Sequence, residues 1–287
     1  MYVDVTELRD FYARPLGGVV RRLLGHRVRA RWRNVSGLTV AGLGFASPYL
    51  GAYRGEAATL AVLMPASQGA LVWPRTGDIN SVLVDEEVLP LLDNSVDRML
   101  VVHCLEGAER VRPMLRELWR VLAPEGRLMM IVPNRRSVWA RTESTPLGHG
   151  RPYSRRQLEA LLIEAMFAPY EWGWALHMPP IERGIILRSA TVFERIGAQV
   201  WPSIGGVMLV EARKELVAPT GKAVGLRVPA GLAVAPGAVS AARGNAVIRV
   251  THSEGMEDGE VVSVVAAEDE DGLLAKQVLQ SHRPVDR

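Results

Sequence analysis

The 287-residue chain contains a single cysteine, Cys104, so it cannot form an internal disulfide. It also lacks any run of about 18 apolar residues, the length needed to cross a bilayer. With 48% hydrophobic residues the chain can build a large core, which excludes a disordered or disulfide-stapled protein. Its opening residues, MYVDVTELRDFYARP, are acidic and polar where an export signal would place positive charge before an apolar stretch. We therefore predict a cytoplasmic protein that is not integral to a membrane.

Aromatic residues are absent after Trp201, although seventeen occur up to that point. Residues 217–252 are rich in Ala, Val, Gly and Pro, and residues 253–287 carry nine acids against three bases. Such a composition cannot easily form a core of its own. We therefore predict three regions: a basic helical segment at 1–36, an α/β domain at 37–216 and a flexible tail at 217–287.

The N-terminal region is predicted to be helical and basic. Asp4 and Glu7 have the spacing of a capping box for a short helix, and a second stretch from Val19 to Trp32 repeats apolar residues at the helical period with arginines between them. This second helix could contact an anionic membrane or a phosphate-bearing substrate, or it could pack on the main domain with its arginines in solvent. Because no base-stacking motif accompanies the arginines, nucleic acid is not expected as a partner.

From Gly37 onward, short apolar runs alternate with helical periodicity. The runs at 38–42, 59–64, 81–84, 96–103, 127–133, 167–175 and 204–214 predict seven strands, and 109–122, 154–165 and 185–197 predict the clearest helices. This alternation is typical of an α/β fold with a mostly parallel sheet and helices on both faces.

Three motifs occur in a fixed order along this region. Gly42-Leu43-Gly44 ends the first predicted strand, LPLLDNSVD (89–97) precedes the fourth, and ELWRVLAPEGRL (117–128) leads into the fifth. In combination they resemble the class I S-adenosylmethionine-dependent methyltransferases, over roughly residues 34–214. The resemblance implies a Rossmann-like seven-stranded sheet with an antiparallel last strand, and S-adenosylmethionine as cofactor.

The resemblance also implies a set of cofactor-binding residues. The glycine loop would face the methionine part of the cofactor, the residue ending the second strand its ribose, and the acids after the third strand its adenine. His103, at the end of the fourth strand, would lie beneath the transferred methyl group and is our candidate general base. The predicted cofactor-binding set is Gly42, Leu43, Gly44, Met64, Asp85, Glu86 and His103.

Two positions depart from the family pattern. An acid usually precedes the first glycine by two residues and another ends the second strand, but here these positions hold Val40 and Met64. Each lost charge-assisted hydrogen bond would weaken cofactor binding by about 1.5–3 kcal/mol. Glu56, Gln68 and Asp85 are the candidates to replace them.

The loop after the fifth strand is predicted to bind the methyl acceptor, because ligands bind at the carboxyl edge of such sheets. The predicted substrate-binding residues are Arg135, Arg136, Trp139, His149, Arg151 and Tyr153. In the alternative interpretation, Ser154 caps the next helix and the arginines are solvated. No metal site is predicted, because the histidines and the cysteine lack ligand spacing.

Two hypotheses on function follow. The first is an S-adenosylmethionine-dependent methyltransferase acting on a small-molecule or lipid-like acceptor. The alternative, motivated by Val40 and Met64, is a catalytically inactive methyltransferase-like binding or regulatory protein. A dehydrogenase-like nucleotide site is disfavoured, because the residues after Gly44 do not complete a Gly-x-Gly-x-x-Gly motif. The sequence leaves the acceptor and the oligomeric state open.

Overall fold

A computed structural model describes residues 2–215 of the chain, and the predicted tail at 217–287 lies outside the described residues. Within residues 2–215 the chain forms one seven-stranded sheet in the order β3-β2-β1-β4-β5-β7-β6. Strands β1 to β5 are parallel, and β7 runs antiparallel to both of its neighbours. This confirms the predicted Rossmann-like sheet with an antiparallel last strand. The strands are β1 (Thr39–Gly44), β2 (Thr59–Pro65), β3 (Ser81–Val84), β4 (Val96–Val102), β5 (Leu122–Pro133), β6 (Phe167–Ala175) and β7 (Val207–Lys214).

Helices cover both faces of this sheet. On one face α1, α2, α3 and α6 pack against alternate strand residues such as Val40, Leu100 and Leu209. On the other face α4 and α5 pack against the intervening residues, such as Leu43, Val101 and Val210. The helices are α1 (Val5–Ala13), α2 (Pro15–Arg31), α3 (Ser47–Leu50), α4 (Val111–Val121), α5 (Arg155–Glu164), α6 (Gly184–Arg188) and α7 (Ala190–Val200), with 3₁₀ turns at Gly51–Tyr53, Trp139–Arg141, Pro146–Gly148 and Pro202–Ile204.

The single helix predicted at 185–197 is wrong, because the structure has two helices there. Ser189 has φ −88° and ψ 5°, which interrupts the helical path between α6 and α7. Serine is a weak helix former, since its hydroxyl competes for nearby backbone groups. The apolar periodicity continues through this residue, so periodicity alone could not show the interruption.

The basic helix α2 packs on the domain through its apolar face. Leu24 and Val28 are buried, and so is Trp32, which follows the helix. Three of its arginines pair with carboxylates of the domain: Arg27 with Glu194 at 3.7 Å, Arg29 with Glu56 at 2.7 Å and Arg31 with Glu171 at 2.9 Å. The apolar stripe is therefore not free to enter a lipid surface. No helix within residues 2–215 is long and apolar enough to cross a membrane.

Arg120 joins two of the motifs found in the sequence. Its guanidinium donates to the carbonyl oxygens of Leu89 and Leu91, at 2.9 and 2.8 Å, and to the Asp93 carboxylate at 2.6 Å. Glu117, one turn earlier in α4, pairs with Arg120 and accepts a hydrogen bond from the Leu89 amide. The segment before β4 is thus fixed to helix α4 by charge-assisted hydrogen bonds.

Candidate functional site at the carboxyl edge of the sheet

The glycine loop at the end of β1 packs tightly against β4. Gly44 has φ +81°, a conformation that favours glycine, and a side chain there would collide with the Val102 carbonyl and with Cys104. The Phe45 amide donates a 2.8 Å hydrogen bond to the same Val102 carbonyl. The local sequence therefore holds the tips of β1 and β4 in direct contact with each other.

Tyr12, at the end of α1, lies over these two strand tips. Its ring stacks on Phe45 with the ring centroids 5.5 Å apart, and its hydroxyl lies 2.7 Å from the hydroxyl of Tyr49 and 2.9 Å from His103 Nε2. All four side chains are buried. Tyr12 thus fills the space above the glycine loop.

Tyr2, near the start of the chain, covers the neighbouring strand tips. Its ring packs on Gly107, and its hydroxyl donates to Glu86 Oε1 at 3.0 Å and lies 3.4 Å from Cys104 Sγ. Glu86 is a residue that the sequence places at the adenine, so here its carboxylate binds the chain's own tyrosine.

Val5 and Gln68 complete this closure at the tip of β2. The Val5 amide donates to the Gln68 carbonyl at 2.8 Å, and the Gln68 side chain donates to the His103 carbonyl at 2.6 Å. Residues 2–13, which we call the N-terminal segment, therefore contact the carboxyl ends of β1, β2 and β4 and the residues that follow β3.

A buried row of polar groups runs through this closed cleft, from Tyr49 through Tyr12 and His103 to Glu106. His103 Nδ1 lies 3.4 Å from Glu106 Oε1, and neither oxygen of that carboxylate accepts a hydrogen bond from the part of the chain that the structure describes. Burial raises the pKa of both tyrosine hydroxyls above the usual value near 10. His103 has φ +51°, an unusual conformation for a residue with a side chain.

The predicted cofactor-binding residues do gather at this edge, but in this conformation they do not form an open site. Gly42, Leu43 and Gly44 are buried, and Met64 is 0% exposed with its sulfur accepting from the Leu71 amide at 3.2 Å. Asp85 is exposed and accepts from the Glu87 amide two residues on. Because the N-terminal segment fills the space between them, these residues do not fit S-adenosylmethionine as they stand.

The predicted acceptor residues divide into four groups. Trp139 is a core residue, buried with its indole nitrogen donating to the Met178 carbonyl at 2.7 Å. His149 is exposed, and together with His103 it lines a cavity of about 10 Å³, which is about the size of one water. Arg136 is exposed and faces solvent. Only Arg135, Arg151 and Tyr153 line a larger cavity.

That larger cavity, which we call the arginine pocket, has a volume of about 700 Å³ and lies between the loop after β5 and the starts of α4 and α5. Three further arginines line it: Arg110, Arg112 and Arg116. These three are not among the predicted residues, because the sequence of α4 is that of an amphipathic helix whose arginines are expected on its solvated face. The one available signal was their spacing of two and four residues, which places Arg112 and Arg116 on one side of the helix.

Comparisons with known proteins agree with the fold. Residues 41–130 match a family model described as a methyltransferase domain. A Haloferax volcanii protein solved in complex with a methyltransferase activator is similar, with 20% identity, a TM-score of 0.52 and coverage of 72% of this chain and 97% of that one. A SAM-dependent methyltransferase from Thermotoga maritima has 16% identity, a TM-score of 0.49 and coverage of 74% and 96%. The search of curated proteins found no match.

The matched region contains the glycine loop and both motifs that Arg120 joins. Together with the strand order, this match identifies a class I S-adenosylmethionine-dependent methyltransferase domain. Residues 41–130 of the chain belong to that domain family. The Haloferax volcanii protein is 20% identical to this chain, so that likeness concerns the fold alone.

Proposed function

We propose that this chain is a methyltransferase-fold protein in which the N-terminal segment takes the place of the cofactor, so that it acts as a binding or regulatory protein without methyl transfer. The observation that carries the proposal is Tyr12, buried between Phe45, Tyr49 and His103 above the glycine loop. On this proposal, the side chains of the N-terminal segment fill the space that a cofactor would need.

The energetics of displacement support this proposal. Val5, Leu8, Phe11 and Tyr12 are all buried, and exposing four such side chains costs about 6–12 kcal/mol at 1.5–3 kcal/mol each. A ligand with micromolar affinity supplies roughly 8 kcal/mol at the 1 M standard state. Displacing the segment would therefore offset most or all of the free energy released when S-adenosylmethionine binds.

The missing acids are a second support. Val40 and Met64 are both 0% exposed and packed in the core, and neither side chain supplies the negative charge of an acid. Glu56 precedes β2, at the opposite edge of the sheet from Met64, where it pairs with Arg29. Gln68 is bound to the His103 carbonyl. Glu56 is thus paired elsewhere, the side-chain nitrogen of Gln68 is bound while its oxygen has no partner within residues 2–215, and Asp85 lies in solvent.

Calorimetric titration of the full chain with S-adenosylmethionine and S-adenosylhomocysteine tests the proposal. We expect no binding by the wild type up to millimolar ligand, and none by a folded Tyr2→Ala/Tyr12→Ala double variant. Micromolar binding by the wild type would overturn the proposal. Thermal melts of both proteins establish that each is folded at the titration temperature.

Methyl transfer to a small-molecule or lipid-like acceptor is the second candidate. Two observations favour it: the match to the methyltransferase family and the buried His103 and Glu106 beneath the segment. In this case the N-terminal segment would move aside before the cofactor binds, and His103 would then be free to accept a proton. Cofactor binding by the double variant alone would favour this candidate over the first.

A further inference from the structure

We propose that the arginine pocket binds the phosphoryl group of an anionic ligand. Its lining residues lie on the loop after β5 and at the starts of α4 and α5. None of them belongs to the N-terminal segment or to the glycine loop. The proposal therefore does not depend on whether the cofactor cleft is open or closed.

The balance of charge in the pocket favours an anion. Arg110 pairs with Glu87 at 2.8 Å and Arg112 with Glu164 at 2.6 Å. For Arg116, Arg135 and Arg151, by contrast, no carboxylate of residues 2–215 lies within ion-pair distance.

The carboxylates around the pocket do not cancel this charge. Glu164 also attracts Arg116 at longer range, and Glu109 lies in the lining. Five arginines thus face three carboxylates, and the excess positive charge has no partner within the described part of the chain.

The geometry suits a tetrahedral phosphoryl group. Arg135 follows β5, Arg151 precedes α5 and Arg116 lies in α4, so arginines from three different parts of the chain line the pocket. Arg110, at the N-cap of the eleven-residue helix α4, makes no side-chain capping hydrogen bond, and the first residues of this helix line the same cavity. Guanidinium groups bind phosphate oxygens in pairs, and several around one site recognise a dianion better than a single carboxylate.

The pocket is also large enough for more than a phosphate. Its volume of about 700 Å³ lies in the range of small-molecule sites. Tyr153, Pro152 and Leu161 contribute an apolar wall beside the arginines. A phosphate ester with an apolar or planar part is therefore the expected ligand class, either as a soluble metabolite or as a lipid headgroup.

Titration of the full chain with inorganic pyrophosphate tests the site. We expect the Arg135→Ala/Arg151→Ala variant to bind at least ten-fold more weakly than the wild type. The matched control is Arg136→Ala/Arg141→Ala, which removes two exposed arginines of the same loop that do not line the pocket. We expect this control to bind within two-fold of the wild type. Equal weakening in both variants, or no binding by the wild type at millimolar pyrophosphate, would overturn the proposal.

A second experiment, binding to lipid vesicles, distinguishes the two sources of the phosphoryl group. Binding to phosphatidic acid vesicles that pyrophosphate displaces, and that the pocket variant loses, would assign a lipid headgroup. Pyrophosphate binding without vesicle binding would assign a soluble ester. Tighter binding of single-stranded RNA that both arginine variants weaken equally would overturn the site in favour of a general basic surface. Pyrophosphate binding should be unchanged in Tyr2→Ala/Tyr12→Ala, so this proposal and the closed cleft can fail separately.

Discussion

Two clefts at the same edge of one sheet have opposite character. The cleft above β1 and β4, where the family holds its cofactor, is filled by aromatic side chains of the N-terminal segment. The arginine pocket beside β5 is open, wide and lined by charged side chains. The same topology thus supplies two ligand-sized positions, and in this chain the one that the motifs point to is the closed one.

The difference shows that position in a fold and availability to a ligand are separate properties. Carboxyl ends of parallel strands are the usual binding edge because loops and helix N-termini converge there. Side chains from outside the repeating β-α pattern decide which part of that edge stays accessible. Here α1, which precedes the first strand of the sheet, covers the part of the edge at β1 and β4.

The sharpest contrast between the two clefts should appear in stability. Tyr12→Ala removes a fully packed ring from the closed cleft and should lower the free energy of unfolding by about 3–5 kcal/mol. Arg135→Ala, at the open pocket, should change it by no more than about 0.5 kcal/mol. Urea unfolding of both variants measures this. Similar urea midpoints for the two variants would contradict the expected difference in stability between the clefts.

Removing only the hydroxyl of Tyr12 measures how much its hydrogen bonds stabilise the closed cleft. Tyr12→Phe keeps the stacking on Phe45 but leaves the buried Tyr49 hydroxyl and His103 Nε2 without their partner. Since buried polar groups left unsatisfied are costly, unfolding free energy should fall by about 1–3 kcal/mol. A loss as large as that of Tyr12→Ala would show that the hydrogen bonds, and not the ring, hold the segment.

Alkaline pH should weaken the closed cleft. Burial raises the pKa of Tyr12 and Tyr49. Because an unfolded tyrosine ionises near pH 10, the stabilisation is complete below pH 10 and falls as pH rises from 10 toward the folded value, at up to roughly 1.4 kcal/mol per pH unit per tyrosine. Melting temperatures from pH 8 to 11.5 measure the slope. Tyr49→Phe should reduce it, and an unchanged slope would contradict the assignment.

The single thiol reports local opening of the cleft. Cys104 is fully buried, its pKa is raised by burial, and the Tyr2 hydroxyl lies 3.4 Å from its sulfur. The native protein should therefore react slowly with iodoacetamide at pH 8. Tyr2→Ala should speed alkylation several-fold, whereas Tyr170→Ala, at an exposed position on β6, should leave the rate unchanged. Equal rates in all three proteins would mean that Tyr2 does not cover the thiol.

The sequence predicted the sheet but not the packing of the N-terminal segment on the strand tips, for a physical reason. Strand signals such as the run at 96–103 are local, because apolar residues flanked by turns specify a buried strand without reference to distant parts of the chain. The spacing of Asp4 and Glu7 also predicted the short helix α1. What it packs against was not predicted, since His103 lies 91 residues away and no periodic pattern records such a pairing.

The acceptor loop was half predictable. Its position after β5 follows from topology, and it brought Arg135, Arg151 and Tyr153 together. Trp139, in the same loop, is a core residue. The sequence alone does not distinguish an aromatic loop residue that covers a ligand from one that packs on a strand. Whether these residues bind an acceptor stays a prediction.

Arg120 binds the backbone carbonyls of the segment before β4, along with Asp93 and Glu117, and makes no use of a cofactor. Two of the three motifs by which the domain is recognised in the sequence therefore hold the segment before β4 to helix α4. Selection for a stable sheet would preserve them even if selection for catalysis had ceased. A family match built on such positions reports descent and architecture, and the chemistry must be determined at the strand tips, where Val40, Met64 and Tyr12 lie.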